Sequence, residues 1–276
     1  MAFSVRNITP VIGTEICDID LADLTPDLGR ELRALLAARG VLVIRNQTLD
    51  YDAHKRVAAC FGTGQLHRHP LAVGAGSADP DVLAIRTTAN SAYAIGDGWH
   101  TDVSCDPAPI AASLLYMREM PESGGGDTMF ASMTEAYALL SDPVKAFVSS
   151  LKAVHDGALP WRQLYGKEPD AGMAFNRTVH PLVIAHPETG VPLLWVNRGF
   201  TTRIEGVTPL ESTALLEMLF RHIEVTPRLQ CRVQWEKDTL VIWDNIGTQH
   251  HAVWDYYPHS RFAERVSVVG GELQAA

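Results

Sequence analysis

The stretch WHTDVSC, residues 99–105, contains a histidine and an aspartate, His100 and Asp102, that are separated by a single residue. In an extended strand the side chains at positions i and i+2 point to the same side. The two side chains could therefore face the interior of a β-sandwich together. Imidazole nitrogens and carboxylate oxygens both bind divalent metals, but a metal site needs a further ligand from a distant part of the chain.

A second candidate stretch is WDNIGTQHHAVWDY, residues 243–256, where His250 and His251 follow the apolar segment LVIWDN. Adjacent residues of a strand face opposite ways, so we expect only one of these histidines to bind a shared metal. Two histidines and one carboxylate leave positions open on an octahedral ion, which is typical of non-haem Fe(II) oxygenases. Zn²⁺ accepts the same ligands, so the triad alone does not distinguish iron chemistry from a zinc hydrolase.

Apolar periodicity along the chain predicts helices early and strands late. We predict strands at residues 41–46, 81–88, 111–120, 180–187, 192–197, 229–235, 239–245 and 264–271. We predict helices at residues 24–40, 51–62, 131–140, 142–151 and 209–224, the last of them with Thr208 and Glu211 as a capping box. This order favours one α+β domain, mainly β, over residues 1–276, built on a packed β-sandwich or barrel.

Residues 157–178 have no clear periodicity and mix glycine, proline and charged residues. A structureless segment of this length inside a compact domain is often a functional loop. We therefore expect a mobile lid around residues 157–178, with Trp161 and Phe175 as candidates for lining a pocket.

The composition, with 46% apolar and 20% charged residues and a net charge of −9, is that of an ordinary folded protein. No run of lysine or arginine stands out, so we do not expect a nucleic-acid partner. Four cysteines without a CxxC pattern indicate free thiols in a reducing compartment. With no visible signal peptide and no apolar run near the ~18 residues of a membrane span, we expect a cytoplasmic protein without a membrane partner.

Two arginines, Arg261 and Arg265, follow His250 closely, and Arg265 lies in the strand-like segment ERVSVVGG. Arginine is the preferred partner for bidentate recognition of a carboxylate or a similar anion. The alternative is that both form surface salt bridges with the many acidic residues of the chain. From residue type alone the two interpretations stay open.

Larger blocks of sequence around these residues resemble the TauD/TfdA family of Fe(II)- and 2-oxoglutarate-dependent dioxygenases. The resemblance is carried by residues 99–140, 178–212 and 243–271, and the segments ITPVIGTEICDIDL and GVLVIRNQ fit the family's opening. It covers roughly residues 5–271. It implies a double-stranded β-helix (jelly-roll) core with flanking helices, Fe(II) and 2-oxoglutarate as cofactor and co-substrate, and O2 as oxidant. Relatives also suggest a homo-oligomer, a dimer or a tetramer.

Site residues follow from the same resemblance, position by position. His100, Asp102 and His250 match the family's iron ligands, with His250 chosen because it follows TQ in the motif. Thr128 and Arg261 match positions that bind the far carboxylate of 2-oxoglutarate. The positions that match substrate contacts are His69, Val103 and Arg265, of which His69 and Arg265 correspond to sulfonate contacts in the taurine enzyme.

The chain also departs from the taurine enzyme, with Ala72 in place of a tyrosine and Gly96 in place of an asparagine. Both changes remove polar contacts to the amino end of taurine, so we expect a different small anionic substrate. Alkyl sulfonates, alkyl sulfates and aryloxyalkanoates are the candidates, and RTVHPLV, RIEGVTPLES and CRVQW resemble the aryloxypropionate branch.

Three other interpretations stay open. A dioxygenase of the same family could act on an amino-acid-like or natural-product intermediate by hydroxylation, desaturation or cyclisation. A jelly roll could also serve as a binding module without catalysis, because fold does not determine function. A zinc hydrolase would use the same triad but would leave Thr128 and Arg261 without a role.

Overall fold

The structure is a computed structural model that describes residues 3–68, 79–166, 168–169 and 174–276. Its strands are β1 Ser4–Asn7, β2 Thr14–Cys17, β3 Val41–Ile44, β4 Leu83–Thr87, β5 Ile110–Glu119, β6 Thr128–Ser132, β7 Lys152–Asp156, β8 Arg177–Pro181, β9 Val183–Ala185, β10 Pro192–Leu194, β11 Thr201–Ile204, β12 Gln230–Val233, β13 Leu240–Asp244, β14 Thr248–Ala252 and β15 Arg261–Val269. Its helices are α1 Pro26–Arg39, α2 Tyr51–Ala58, α3 Met133–Ala138, α4 Asp142–Val148, α5 Ala158–Tyr165 and α6 Pro209–Glu224, with 3-10 turns at Leu21–Asp23 and Pro227–Leu229.

The strands form a large sheet and several smaller ones. The large sheet has seven strands in the order β1-β2-β3-β13-β5-β15-β4, and only the β2–β3 pair in it is parallel. A three-stranded sheet has the order β12-β6-β14, and β11-β7-β8 and β10-β9 form the remaining two. This strand-rich α+β architecture confirms the predicted jelly-roll core with flanking helices.

Strand β3 shows why the sequence VLVI is apolar without interruption. Val41 and Val43 pack with Phe130 and Val233 of the smaller sheet in one core cluster. Leu42 and Ile44 pack on the other side, among residues of α1 and α2. Successive side chains of a strand point to opposite faces, so a strand covered on both faces needs apolar residues at every position.

Helix α6 forms as predicted, and its start is fixed by a capping box. The Thr208 hydroxyl accepts a hydrogen bond from the Glu211 backbone N–H, and the Glu211 carboxylate accepts one from the Thr208 backbone N–H. One face of the helix buries Leu216, Leu219 and Ile223 in a second core cluster. In the part of the chain that the structure describes, no helix is long and apolar enough to cross a membrane.

The described part of residues 157–178 contains regular structure, so the expectation that this segment lacks secondary structure was wrong. Residues Ala158–Tyr165 form helix α5, which ends at Gly166 in the left-handed conformation, and strand β8 begins at Arg177. The sequence pattern did not predict this helix because proline usually interrupts helices. Pro160 lies in the first turn of α5, however, where proline breaks no internal hydrogen bond. The predicted mobility of this segment stays a prediction.

Candidate active site

The three predicted metal ligands come together in space. Ligand atoms of His100, Asp102 and His250 all lie within 4.8 Å of one another. The Asp102 carboxylate is 3.7 Å from Nε2 of His100 and 4.0 Å from Nε2 of His250. In the described residues this is the one group of three or more histidine, cysteine or acidic side chains with a geometry that could hold a metal ion.

Backbone pairing holds the two histidines side by side. His100 and His250 form an antiparallel bridge, in which the N–H of each donates to the C=O of the other at 3.0 and 2.9 Å. Further along, the Ala252 N–H donates to the Gly96 C=O at 2.9 Å. Residues 96–100 thus run along the edge of β14, although His100 is a single bridge residue and Asp102 lies in a turn. The expectation that both lie on a regular strand was therefore wrong, and a turn brings Asp102 to the site.

Asn245 fixes the turn that carries Asp102. Its side-chain oxygen accepts from the Asp102 N–H at 3.0 Å, and its amide N–H₂ donates to the Asp102 C=O at 3.0 Å and the Ile110 C=O at 2.9 Å. The next residue, Val103, has a φ of +40°, which a β-branched residue rarely adopts. Backbone strain of this kind persists only where its surroundings enforce it, and it is concentrated at functional sites.

The neighbouring histidine, His251, points away from the triad, as expected for adjacent residues of a strand. Its Nε2 is 3.0 Å from a carboxylate oxygen of Asp97, and its ring meets the edge of Trp99. His250 instead packs against Trp243 and Phe130. His251 therefore anchors the loop before His100, while His250 faces the site.

Protonation states at the triad suit a metal. Burial lowers the pKa of His100 and lowers that of His250 well below its ordinary value, so both rings are neutral and can offer a lone pair. The Gly98 carbonyl lies 2.8 Å from Nδ1 of His100, which places the proton there and leaves Nε2 free to bind. Burial alone would raise the pKa of Asp102, but the Arg265 guanidinium and the hydrogen bond from Ser113 hold it well below its usual range.

Arg265 contacts the metal-ligand carboxylate directly. Its Nη1 donates to Oδ1 of Asp102 at 2.8 Å, and the Ser113 hydroxyl donates to Oδ2 at 3.1 Å. Ser113 and Ser267 are themselves joined by a hydrogen bond of 3.0 Å. Both carboxylate oxygens are thus held in place, and an arginine with five N–H donors keeps others available for a second anion.

Thr128 and Arg261 form a second cluster, since Trp235 contacts both, and Thr128 lies on β6, the strand paired with the β14 strand of His250. Thr128 lies opposite Ala252 in the pairing of β6 with β14, and both Thr128 and Arg261 are buried. Nε of Arg261 has no hydrogen-bond partner, and no acidic group in the described ranges lies within ion-pair distance of it. The nearby Asp127 is bound instead by Arg232 at 2.6 Å. Burial lowers the pKa of Arg261, and the nearby Tyr256 and Asp127 offset this only in part. The buried guanidinium therefore keeps an Nε–H that an external anion could accept.

Gly126 leaves the space that Arg261 occupies. A Cβ at this position would lie 3.1 Å from Cδ and 3.3 Å from Nε of Arg261, and the φ of Gly126 is +73°. A glycine is therefore required both by the backbone conformation and by the close approach of the arginine.

A sequence model of the family described as "Taurine catabolism dioxygenase TauD, TfdA family" matches residues 4–267. The chain belongs to the TauD/TfdA family. An alpha-ketoglutarate-dependent sulfonate dioxygenase of Saccharomyces cerevisiae is 35% identical over 277 residues, which are 95% of this chain and 66% of the yeast protein. The alpha-ketoglutarate-dependent dioxygenase cnsM of Penicillium expansum is 33% identical over 274 residues, 94% of this chain and 76% of that protein.

Solved structures of the TauD/TfdA family agree with this assignment. The crystal structure of a taurine dioxygenase from Burkholderia xenovorans superposes with a TM-score of 0.82 at 33% identity, over 98% of this chain and 92% of that chain. Family membership and the His–Asp–His triad together make the protein a 2-oxoglutarate-dependent (alpha-ketoglutarate-dependent) dioxygenase with a metal site.

The remaining predicted substrate contacts of this TauD/TfdA enzyme are only partly visible. His69 and Ala72 lie outside the described residues. Val103 is partly exposed beside Asp102, and a Cβ at Gly96 would lie 3.4 Å from Cε1 of His100. A side chain at Gly96 would thus stand against the ligand ring, and glycine keeps that space open.

Three further residues escaped the sequence analysis. Asn245 and Ser113 hold the aspartate ligand, and Trp235 contacts Thr128. The position of Asn245 inside the histidine-bearing stretch 243–256 was a usable signal. Trp235 ends the CRVQW segment that carried a family resemblance, but no role was assigned to it, and Ser113 lies in a strand-like segment without a distinguishing signal.

Proposed function

We propose that the protein is an Fe(II)- and 2-oxoglutarate-dependent dioxygenase that hydroxylates a C–H bond of a small anionic substrate. The substrate is of the alkyl sulfonate, alkyl sulfate or aryloxyalkanoate type. Where the hydroxylated carbon carries the heteroatom, the product collapses with cleavage of the heteroatom–carbon bond. The observation that carries the proposal is the His–Asp–His triad, with ligand atoms within 4.8 Å of one another, together with the buried Arg261, whose Nε–H has no hydrogen-bond partner.

The metal would be held by Nε2 of His100, the carboxylate of Asp102 and Nε2 of His250. Three protein ligands leave the rest of an octahedral coordination sphere for a co-substrate and O2. Fe(II) bound there would couple the reduction of O2 to two oxidations. 2-Oxoglutarate would be converted to succinate and CO2, and the substrate would be hydroxylated. Asn245, Ser113 and the bridge pairing of His100 with His250 keep the ligand atoms in place before the metal arrives.

The far carboxylate of 2-oxoglutarate would bind Arg261 and Thr128. The guanidinium offers an Nε–H that has no partner, and the Thr128 hydroxyl accepts from Trp235 and donates to no other described residue. Two uncommitted donors beside one buried positive charge match the requirements of a carboxylate. Thr128 lies on β6, which pairs with the β14 strand of His250, so a short dicarboxylate would run from this cluster to the metal.

An anionic head group of the substrate would bind Arg265. One of its N–H groups already bonds Asp102, so the arginine would tie the head group to the metal ligand and orient the substrate relative to the site. Val103 and the space left by Gly96 would shape the neighbouring wall. Absence of a side chain at Gly96 favours a bulkier or more apolar tail than that of taurine.

A second candidate is a dioxygenase of the same family that acts on an amino-acid-like or natural-product intermediate. The similarity to cnsM of Penicillium expansum supports it. Such a substrate need not carry an anionic head group, so Arg265 would then serve only to hold Asp102, and neutral compounds would stimulate succinate release. A non-catalytic binding protein or a zinc hydrolase would give a buried Arg261 no role, and we favour neither.

The experiment that tests the proposal is succinate release by protein loaded with Fe(II) under anaerobic conditions and then supplied with 2-oxoglutarate and O2. A panel of alkyl sulfonates, alkyl sulfates, aryloxyalkanoates and neutral analogues is added one at a time. We expect stimulation by one anionic class and none by its neutral analogue. Stimulation by neutral compounds alone would favour the second candidate, and no succinate from iron-loaded protein would contradict both.

A further inference from the structure

One buried indole touches both residues of the carboxylate cluster. Nε1 of Trp235 donates a hydrogen bond of 2.9 Å to the Thr128 hydroxyl. The guanidinium carbon of Arg261 lies 5.6 Å from the centroid of the Trp235 ring, within the range of a cation–π contact. Trp235 is only 6% exposed, so both contacts lie in the protein interior.

Strand pairing explains how Trp235 reaches this position. It follows strand β12, whose last residue, Val233, lies opposite Thr128 in the pairing with β6. Residues two apart on an extended chain face the same side, and both Val233 and Trp235 belong to the core cluster between the sheets. The pairing register of β12 with β6 therefore places the indole of Trp235 beside the Thr128 side chain.

We infer that Trp235 is a positioning residue for the far carboxylate of 2-oxoglutarate, an inference that rests on the proposed function. An indole N–H only donates, so the Thr128 oxygen is used as an acceptor and its own proton is left to donate. The ring also packs beside the guanidinium of Arg261, which forms no ion pair with an acidic group of the described residues. Trp235 thus orients the Thr128 hydroxyl and positions the Arg261 guanidinium before the anion binds.

The test is the affinity of the Mn(II)-loaded protein for 2-oxoglutarate without O2, measured by isothermal titration calorimetry, so that the readout is binding and not turnover. Trp235→Phe keeps an aromatic ring and removes the N–H. We expect its dissociation constant for 2-oxoglutarate to rise roughly 3- to 10-fold, as for one lost hydrogen bond, with Mn(II) affinity unchanged.

The matched control is Trp195→Phe. Trp195 is another buried tryptophan, but its indole N–H has no hydrogen-bond partner, and it belongs to a different core cluster. We expect this variant to bind 2-oxoglutarate like the wild type. Equal weakening in the two variants would overturn the inference, because the effect would then be a general loss of core packing.

Two further measurements exclude an indirect effect. In a Thr128→Val background the Trp235→Phe change should have no additional effect, since the indole acts through the hydroxyl; full additivity overturns the inference. If Trp235→Phe does not fold, the tryptophan isostere β-(3-benzothienyl)alanine at position 235 removes only the N–H, with the same expectation. Wild-type protein that binds Mn(II) but not 2-oxoglutarate would instead contradict the proposed function itself.

Discussion

His100 and His250 are joined to each other by two backbone hydrogen bonds, of 3.0 and 2.9 Å, although they lie far apart in the sequence. The separation of the two histidine ligands is thus set by β-pairing and not by their side chains, whose rings lie 4.1 Å apart between centroids. A site fixed by backbone pairing needs little rearrangement to accept a metal. Asp102, in contrast, depends on a turn that must be held by its neighbours.

The first prediction concerns Asn245, which holds that turn. Asn245→Ala removes three buried hydrogen bonds to the Asp102 and Ile110 backbones. We expect a loss of roughly 3 kcal/mol in unfolding free energy and a loss of roughly 10- to 100-fold in metal affinity. Urea unfolding and Mn(II) titration measure the two effects. Asn90→Ala, at an exposed position, is the control. Unchanged metal affinity in Asn245→Ala would show that the turn keeps its conformation without the Asn245 hydrogen bonds.

The glycines of the GGG run provide a matched pair of variants. Gly126 and Gly124 have φ of +73° and +76°, so alanine at either position costs about 1–2 kcal/mol in backbone strain. Only at Gly126 would the new Cβ meet Arg261, because nothing lies within 4 Å of a Cβ at Gly124. We expect Gly126→Ala to weaken 2-oxoglutarate binding roughly 10-fold and Gly124→Ala to leave it unchanged. Similar affinities of the two variants would mean that Arg261 does not contact the anion.

Substitutions of Arg261 and of Arg265 should change different steady-state kinetic parameters. Arg261→Ala is expected to raise the KM for 2-oxoglutarate far more than the KM for the substrate, because it removes the charge facing the far carboxylate. Arg265→Ala is expected to weaken turnover of anionic substrates by roughly 100-fold, the equivalent of about 3 kcal/mol for a charge-assisted pair. Initial rates with each component varied in turn check both, and the opposite pattern would exchange the two roles.

The stability of the metal-free protein should fall as the pH falls below about 6.5. Burial lowers the pKa of His54 to about 4 and that of His155 to about 3. In the unfolded chain both bind a proton near pH 6.5, so between that value and their folded pKa values the unfolded state holds more protons. At pH 5 each histidine lowers the unfolding free energy by roughly 2 kcal/mol.

Urea unfolding at pH 7.5, 6 and 5 measures this dependence. His259→Gln, at an exposed position, should follow the wild type at every pH. A stability that stays constant from pH 7.5 to 5 would contradict the assignment of neutral, buried histidines in the folded state.

Local sequence predicted the elements whose buried positions are apolar and whose exposed positions are polar, because burial alone then determines the sequence pattern. Strand β3, with its VLVI sequence, and helix α6, with its capping box, appear where the pattern placed them. Strands β1, β2, β6, β7, β11 and β14 were missed. The sequence TQHHA of β14, for example, has no apolar alternation and is a strand only through pairing with a distant segment. Pairing partners of this kind are not encoded in local periodicity.

The candidate site shows the same division between local and distant information. Motif spacing and family resemblance identified the triad and Arg261, and the structure brings the triad together. The bond between Arg265 and Asp102, and the roles of Asn245 and Trp235, depend on side chains from separate strands that meet only in the folded chain. Those roles could not be read from spacing.

The most direct measurement of the central claim compares His250→Ala with His251→Ala for bound iron and for succinate formed from 2-oxoglutarate. The two substitutions remove the same side chain from adjacent positions, but only His250 faces Asp102, while His251 pairs with Asp97. We predict that His250→Ala loses iron and succinate formation, and that His251→Ala keeps most of both. Full iron content and turnover in His250→Ala would contradict the assignment of this triad as the metal site.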